Sequence, residues 1–177
     1  MIKVMLVFKG GPIDLLLSIP EIEEIIGEKP LDFVKTLIDR FNEIRDCKLV
    51  KSEPFSKVYD YFNEAKRCYI TGNYRASLII AFCALECCLR IDYEAETKTE
   101  WKGRLFDIIK MYFDKRKLPL TFSELAQIGR KVRNDITHPC HKEEYEYTHT
   151  TVWHNLELIK DLMNYIIEGH RKRNQRG

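Results

Sequence analysis

From Phe55 to Ile166 the apolar residues of this chain return every three or four positions, and that spacing decides its fold class. Phe55, Val58, Tyr59, Phe62, Ala65 and Tyr69 make one stripe, stopped by Gly72-Asn73. Tyr74, Leu78, Phe82, Leu85 and Leu89 make the next, and Trp101, Leu105, Ile108, Ile109 and Tyr112 a third. Thr121-Phe-Ser-Glu124 has the form of a capping box, so a fourth helix is predicted there with Phe122, Leu125, Ile128 and Val132 on its apolar side. Val152, Leu156, Ile159, Met163 and Ile166 form the last stripe. Each stripe needs an apolar partner, and the first connections are short. A mainly α chain folded as an antiparallel helical bundle satisfies both demands. Eight glycines and six prolines in 177 residues agree with helix over a loop-rich β fold.

The first fifty residues follow another pattern. Ile2–Phe8 reads as a short strand ended by Gly10-Gly11, and residues 12–27 as one or two short helices around Pro20. Phe33, Val34, Leu37, Ile38, Phe41 and Ile44 form a helical stripe, and Cys47–Lys51 reads as a second short strand. The predicted organisation is a small N-terminal appendage over 1–52, a helical bundle over 53–170 and a basic tail over 171–177.

Apolar residues make up 45% of the chain and charged residues 32%, the balance of a globular domain and not of a disordered one. No segment reaches the roughly 20 apolar residues of a membrane-spanning helix. The apolar start is broken by Lys9, Gly10, Gly11, Pro12 and Asp14 and does not read as a signal peptide. A cytoplasmic protein without membrane contact is the expectation. Of the six cysteines (Cys47, Cys68, Cys83, Cys87, Cys88, Cys140), three fall inside the apolar helical pattern FCALECCLR, where thiols act as small buried hydrophobes. Cys83 and Cys87 stand one helical turn apart, but no second Cys or His pair has zinc-site spacing, so neither metal nor cofactor is expected.

The net charge of +2 is uninformative, but its distribution is not. Residues 98–133 carry ten Lys/Arg against four acids, a local +6, and the tail HRKRNQRG adds four basic residues. Residues 134–169 carry seven acids against two basic residues, a local −5. A basic zone of this kind suits a polyanionic partner, although a solvated helix face also accounts for a charge run taken alone. The zone runs into Arg133-Asn-Asp-Ile-Thr-His138, followed by Pro139. Five residues span about 140° of an ideal helix, so Arg133 and His138 would not share a face. Pro139 disfavours helical geometry at His138, and a helix loosened there lets the imidazole swing beside the guanidinium. Arginine grips phosphate oxygens bidentately, and histidine exchanges a proton near neutral pH. Together they suit a phosphodiester.

This motif resembles that of the HEPN superfamily, the higher eukaryote and prokaryote nucleotide-binding domains. There an arginine is followed four to six residues later by a histidine, often with a polar residue directly after the arginine. NYRASLIIAFCALECCLR is similar to the helix of such domains that carries an acidic residue facing the motif, here Glu86. The resemblance covers about residues 55–170. It implies a homodimer that brings two motifs into one cleft, and a metal-independent RNA endonuclease of the kind found in defence and toxin–antitoxin systems. His138 would then transfer the proton, Arg133 would stabilise the charged phosphorane, and Asn134 would orient one of them. Glu86 and Asp135 would support the site, and Arg130 and Lys131 would hold RNA. Relatives without cleavage bind nucleotides, or pair with a nucleotidyltransferase or antitoxin, so a non-catalytic binding module is the alternative.

The bland assignments remain open beside these. Arg133 also suits a surface ion pair, and His138 a helix end. Glu86 can pair with Arg90 at i+4 as well as with Arg133. His141, His149 and His154 read as surface or packing residues, and Trp101 and Trp153 as core or interface.

Overall fold

The computed structural model describes residues 2–8, 11–17, 30–116, 118, 122–137 and 146–175. They divide into two compact units, Met1–Glu43 and Ile44–Gly177.

In the first unit, β1 (Ile2–Phe8) and β2 (Gly11–Leu17) form an antiparallel pair whose register sets Ile2 opposite Leu17 and Phe8 opposite Gly11. Residues 11–17 are therefore strand and not the short helices their sequence suggested. In a two-stranded ribbon both strands are edges, so Pro12 costs no ladder bond to a third strand. Residues 18–29 lie outside the described residues. Helix α1 (Pro30–Ile44) opens on proline, whose missing N–H costs nothing at a first helical position. Val34, Ile38 and Phe41 of its stripe are exposed.

The second unit is the helical bundle. It begins at Ile44, earlier than the apolar periodicity marked, because Ile44 and Cys47 are buried in the core. Cys47–Lys51 is not a strand. Its backbone groups find side chains where a strand would find another strand. The Asn164 amide accepts from Val50 N at 2.8 Å and donates to Lys48 O at 3.2 Å, and the Tyr59 hydroxyl donates to Val50 O at 2.7 Å.

A 3₁₀ turn (Glu53–Phe55) leads into α2 (Ser56–Ile70), which buries Val58, Phe62, Ala65 and Tyr69 along one face. Helix α2 ends in a Schellman arrangement. Asn73 N donates to Cys68 O at 2.8 Å, and Gly72 takes a φ of 78° that side chains resist. The Asn73 side chain then accepts from Ala76 N and starts α3 (Tyr74–Thr97). Helix α3 is central. It buries residues on opposite sides, among them Leu78, Phe82, Leu85, Cys88 and Asp92, and packs mainly on α2 and α6. Helix α4 (Leu105–Arg116) contributes Ile108, Ile109 and Tyr112 to the core, and α5 (Ser123–Thr137) contributes Leu125 and Val132. Helix α6 (His149–Asn174), capped by Thr148, supplies Val152, Leu156, Ile159, Met163 and Ile166. It continues into the residues expected to form a separate basic tail, because His170 is buried and Arg173 is tied to α3.

That tie centres on Asp92. Its carboxylate is wholly buried, and such a charge must find donors. The Tyr112 hydroxyl donates to Oδ2 at 2.6 Å, His170 Nδ1 lies 3.1 Å from Oδ1, and Arg173 Nη2 donates to the same oxygen. Asn174 Nδ2 meets the other ring nitrogen of His170 at 3.0 Å, and Phe55 packs edge-on against the imidazole. Three helices are thereby held at one point. Among the described residues, no helix is long and apolar enough to cross a membrane.

Candidate functional site

Glu86 lies on α3 one turn beyond Phe82, on the side that faces α5. There a cavity of about 380 Å³ opens between α3, the Gly103–Leu105 segment and α5. Phe82, Glu86, Arg90, Arg104, Gly129 and Val132 are among its walls. Gly129 explains how α5 comes so close. A Cβ there would stand 3.0 Å from Phe82 Cε1, tighter than ordinary packing allows. Without it, the backbone of α5 lies against the aromatic ring.

For Glu86 the structure shows one of the two partners the sequence offered. Its Oε1 accepts from Arg90 Nε at 3.0 Å and from Arg90 Nη2 at 2.6 Å, so its partner is the arginine one turn along. Arg90 also donates to Trp101 O and, at 3.1 Å, to Gly103 O. One guanidinium thus joins the carboxylate to the loop that leads into α4. Trp101 covers the same loop from another side: a Cβ on Gly103 would fall 2.5 Å from Trp101 Cζ2, so that position admits little but glycine. Trp101 also stacks edge-on with Tyr93 at 5.0 Å between centroids. Asp107 accepts from Arg104 N at 3.3 Å and caps the start of α4. Arg104 is exposed at the cavity mouth.

The motif sits on α5. The helix continues through Thr137, so Arg133, Asn134 and Asp135 stand on regular helical backbone in its last turns. Arg133 follows Val132 directly and Gly129 by one turn, both of them wall residues of the cavity. Asn134, Arg130 and Lys131 are exposed. His138, with Pro139 and the residues up to Tyr145, lies outside the described residues. So the structure brings Glu86, Arg90, Arg104 and the α5 backbone around one cavity, and the Arg133–His138 pairing expected from the motif falls outside what it describes.

The cysteines bear on the chemistry through their environment. Desolvation first, then the nearby Glu86 charge, pushes the Cys83 thiol above its ordinary range. Thiols so disfavoured as thiolates are poor nucleophiles. Among the described residues no group of three or more His, Cys, Asp and Glu is placed to hold a metal ion.

Arg104 and Gly129 are the residues that sequence reading did not single out here, and Arg90 entered only as a possible partner of Glu86. Gly129 left a signal, since a glycine inside a helical stripe costs about 1 kcal/mol against alanine and asks for a packing reason. The grip of Arg90 on Trp101 and Gly103 left none. Comparison of the chain with protein-family models, with characterised proteins and with solved structures finds no match.

Proposed function

We propose that the bundle is a HEPN-type domain acting on RNA, as a metal-independent endonuclease working in a homodimer. The ribose 2′-OH attacks the adjacent phosphorus while His138 handles its proton. The bond to the 5′ oxygen breaks, and a 2′,3′-cyclic phosphate and a 5′-hydroxyl result. Arg133 stabilises the phosphorane charge, Asn134 orients the pair, Glu86 and Asp135 support it, and Arg130 and Lys131 hold the RNA backbone. One observation carries the reading. The α5 turn that leads into the motif walls a cavity whose facing wall is the Glu86–Arg90 pair, with Arg104 at its mouth. A largely apolar cavity with an ion pair on one wall and exposed basic residues beside it has charged groups to meet a phosphodiester.

The test is incubation of the purified chain with labelled RNA in chelator. RNA should be cut to cyclic-phosphate ends, and DNA, lacking the 2′-OH, should survive. His138→Ala should lose roughly 10²–10⁴-fold in rate, as removal of a general acid–base group does. Arg133→Ala should lose roughly 10²–10³-fold through withdrawn charge stabilisation. Light scattering should give twice the 21.0 kDa chain mass. A non-catalytic module that binds a nucleotide, or pairs with a nucleotidyltransferase or antitoxin, is the second reading. It is favoured by the engagement of Glu86: the catalytic reading asks this carboxylate to support the motif, and it is held by Arg90 of its own helix. Nucleotide binding by wild type, with no RNA cut by wild type or by His138→Ala, would select it.

A further inference from the structure

A second, smaller pocket lies away from α5, between the Cys47–Lys51 segment and α2, with a volume of about 170 Å³. Lys48, Lys51, Lys66 and Asn63 line it together with Tyr59 and Phe62, and among the described residues no carboxylate does. We infer that this pocket binds a phosphate group, gripped by Lys66 with Lys48 and Lys51 at its rim.

Four observations converge on that ligand. The wall is built before anything binds, since Asn164 and Tyr59 clasp the backbone of Lys48 and Val50 from two helices. Lys66 is fixed as well: its ammonium donates to Cys47 O at 2.9 Å, which uses one of three N–H donors. Among the described residues it has no carboxylate within ion-pair distance, and Lys51 has none either. Asp46, an acid whose charge reaches Lys66, is shared between Arg45 and Lys48 at 3.4 and 3.8 Å. Three positive charges therefore meet at a cavity the size of roughly five or six waters, enough for phosphate or pyrophosphate and too small for a whole nucleotide. The phenol of Tyr59 is spent on the backbone, so it shapes the wall and is not free to hold the anion.

Burial lowers the proton affinity of Lys66, Lys48 adds to the effect, and Cys47 and Asp46 oppose it. A bound anion reverses the net effect, which provides a direct readout. The source of the phosphate is either a free anion or the terminal phosphate of a nucleic acid. Neither alternative depends on Arg133 or His138.

The test is titration calorimetry of the full chain at low salt with inorganic phosphate and pyrophosphate, alongside lysine side-chain NMR. Pyrophosphate should bind with a Kd below about 1 mM. The Lys66 amine should titrate at higher pH in its presence. Lys66→Met should weaken binding about tenfold or more, equivalent to about 1.4 kcal/mol. The Lys48→Ala/Lys51→Ala double variant changes only exposed side chains, so it keeps the test alive should Lys66→Met fail to fold, and it too should weaken binding. Lys57→Ala, at an exposed lysine of α2 outside the pocket lining, should leave the affinity unchanged. A 5′-phosphorylated oligonucleotide binding more tightly than its 5′-hydroxyl twin, with the difference lost in either lysine variant, assigns the pocket to a nucleic-acid end. Equal binding of the two oligonucleotides, with pyrophosphate still bound, assigns it to a free anion. Absence of phosphate and pyrophosphate binding at millimolar concentration, or binding indifferent to both lysine variants, would overturn the inference.

Discussion

Two of the carboxylates on helix α3, Glu86 and Asp92, stand six residues apart, about 240° around the helix, and they meet opposite fates. Asp92 is fully buried and is met by Tyr112 from α4 and by His170 and Arg173 from α6. Glu86 keeps 31% of its side chain in solvent, and its partner Arg90 comes from its own helix. The difference lies in who provides the donors. Asp92 recruits them from two other helices, so its charge becomes a joint of the fold. Glu86 is satisfied locally and faces a cavity, so its charge remains at a surface where a ligand can meet it.

The sharpest way to break this contrast is to remove both carboxylates, one at a time. Asp92→Ala leaves Arg173, His170 and Tyr112 without their common acceptor. It should cost about 3–5 kcal/mol in urea unfolding, the usual penalty for breaking a buried charge pair. A loss under 1 kcal/mol would put Asp92 in the same class as Glu86.

Alkaline pH probes the same end of the molecule without mutation. Burial, then the charge and hydrogen bond of Asp92, pushes the Tyr112 phenol far above its ordinary value of 10.0. Burial likewise pushes the Cys88 thiol well above 9.0. For both groups the folded state keeps its proton after the unfolded state has released it. Their contribution to stability is therefore complete below about pH 9 and falls as pH rises, by about 1.4 kcal/mol per pH unit for each group once it titrates in the unfolded chain. Lys66, lowered by burial, acts with the opposite sign and offsets part of this. Denaturation curves at pH 8, 9.5 and 11 should show the decline, and ultraviolet titration should show Tyr112 ionising only on unfolding.

At the cavity the expected effects are smaller. Gly129→Val forces Phe82 aside and should cost about 1–3 kcal/mol, as overpacking does, while filling part of the cavity that Gly129 walls. Glu86→Gln should cost at most about 1 kcal/mol, as for other partly exposed ion pairs, and should change RNA or nucleotide binding more than thermal stability. A stability loss as large as that of Asp92→Ala would erase the distinction between the two sites.

The helices were legible because their signal is local. Stripes such as Val58, Phe62, Ala65 and Tyr69 repeat at the period set by backbone hydrogen bonds, and Gly72-Asn73 marks a stop whatever lies around it. The Glu86–Arg90 pair was legible as one of two options for the same reason, since i and i+4 always stand near each other on a helix. Residues 11–17 misread as helix because a short apolar run has no period of its own, and its neighbour across the ribbon decided the outcome. Cys47–Lys51 has the composition of a strand, but its backbone partners come from Asn164, more than a hundred residues away.

The partners of Asp92 lie 20, 78 and 81 residues along the chain, and Arg90 reaches a loop 11 to 13 residues on. Helical period says which residues face inward, but it does not say which inward faces meet. That depends on how the helices cross and where glycines such as Gly129 let them approach. So the sequence by itself determined the helical class of the bundle and the inward face of each of its main stripes. Tertiary structure alone decided which carboxylate became a joint, which one faces a cavity, and where three lysines converge, because those outcomes rest on contacts between segments that no local spacing encodes.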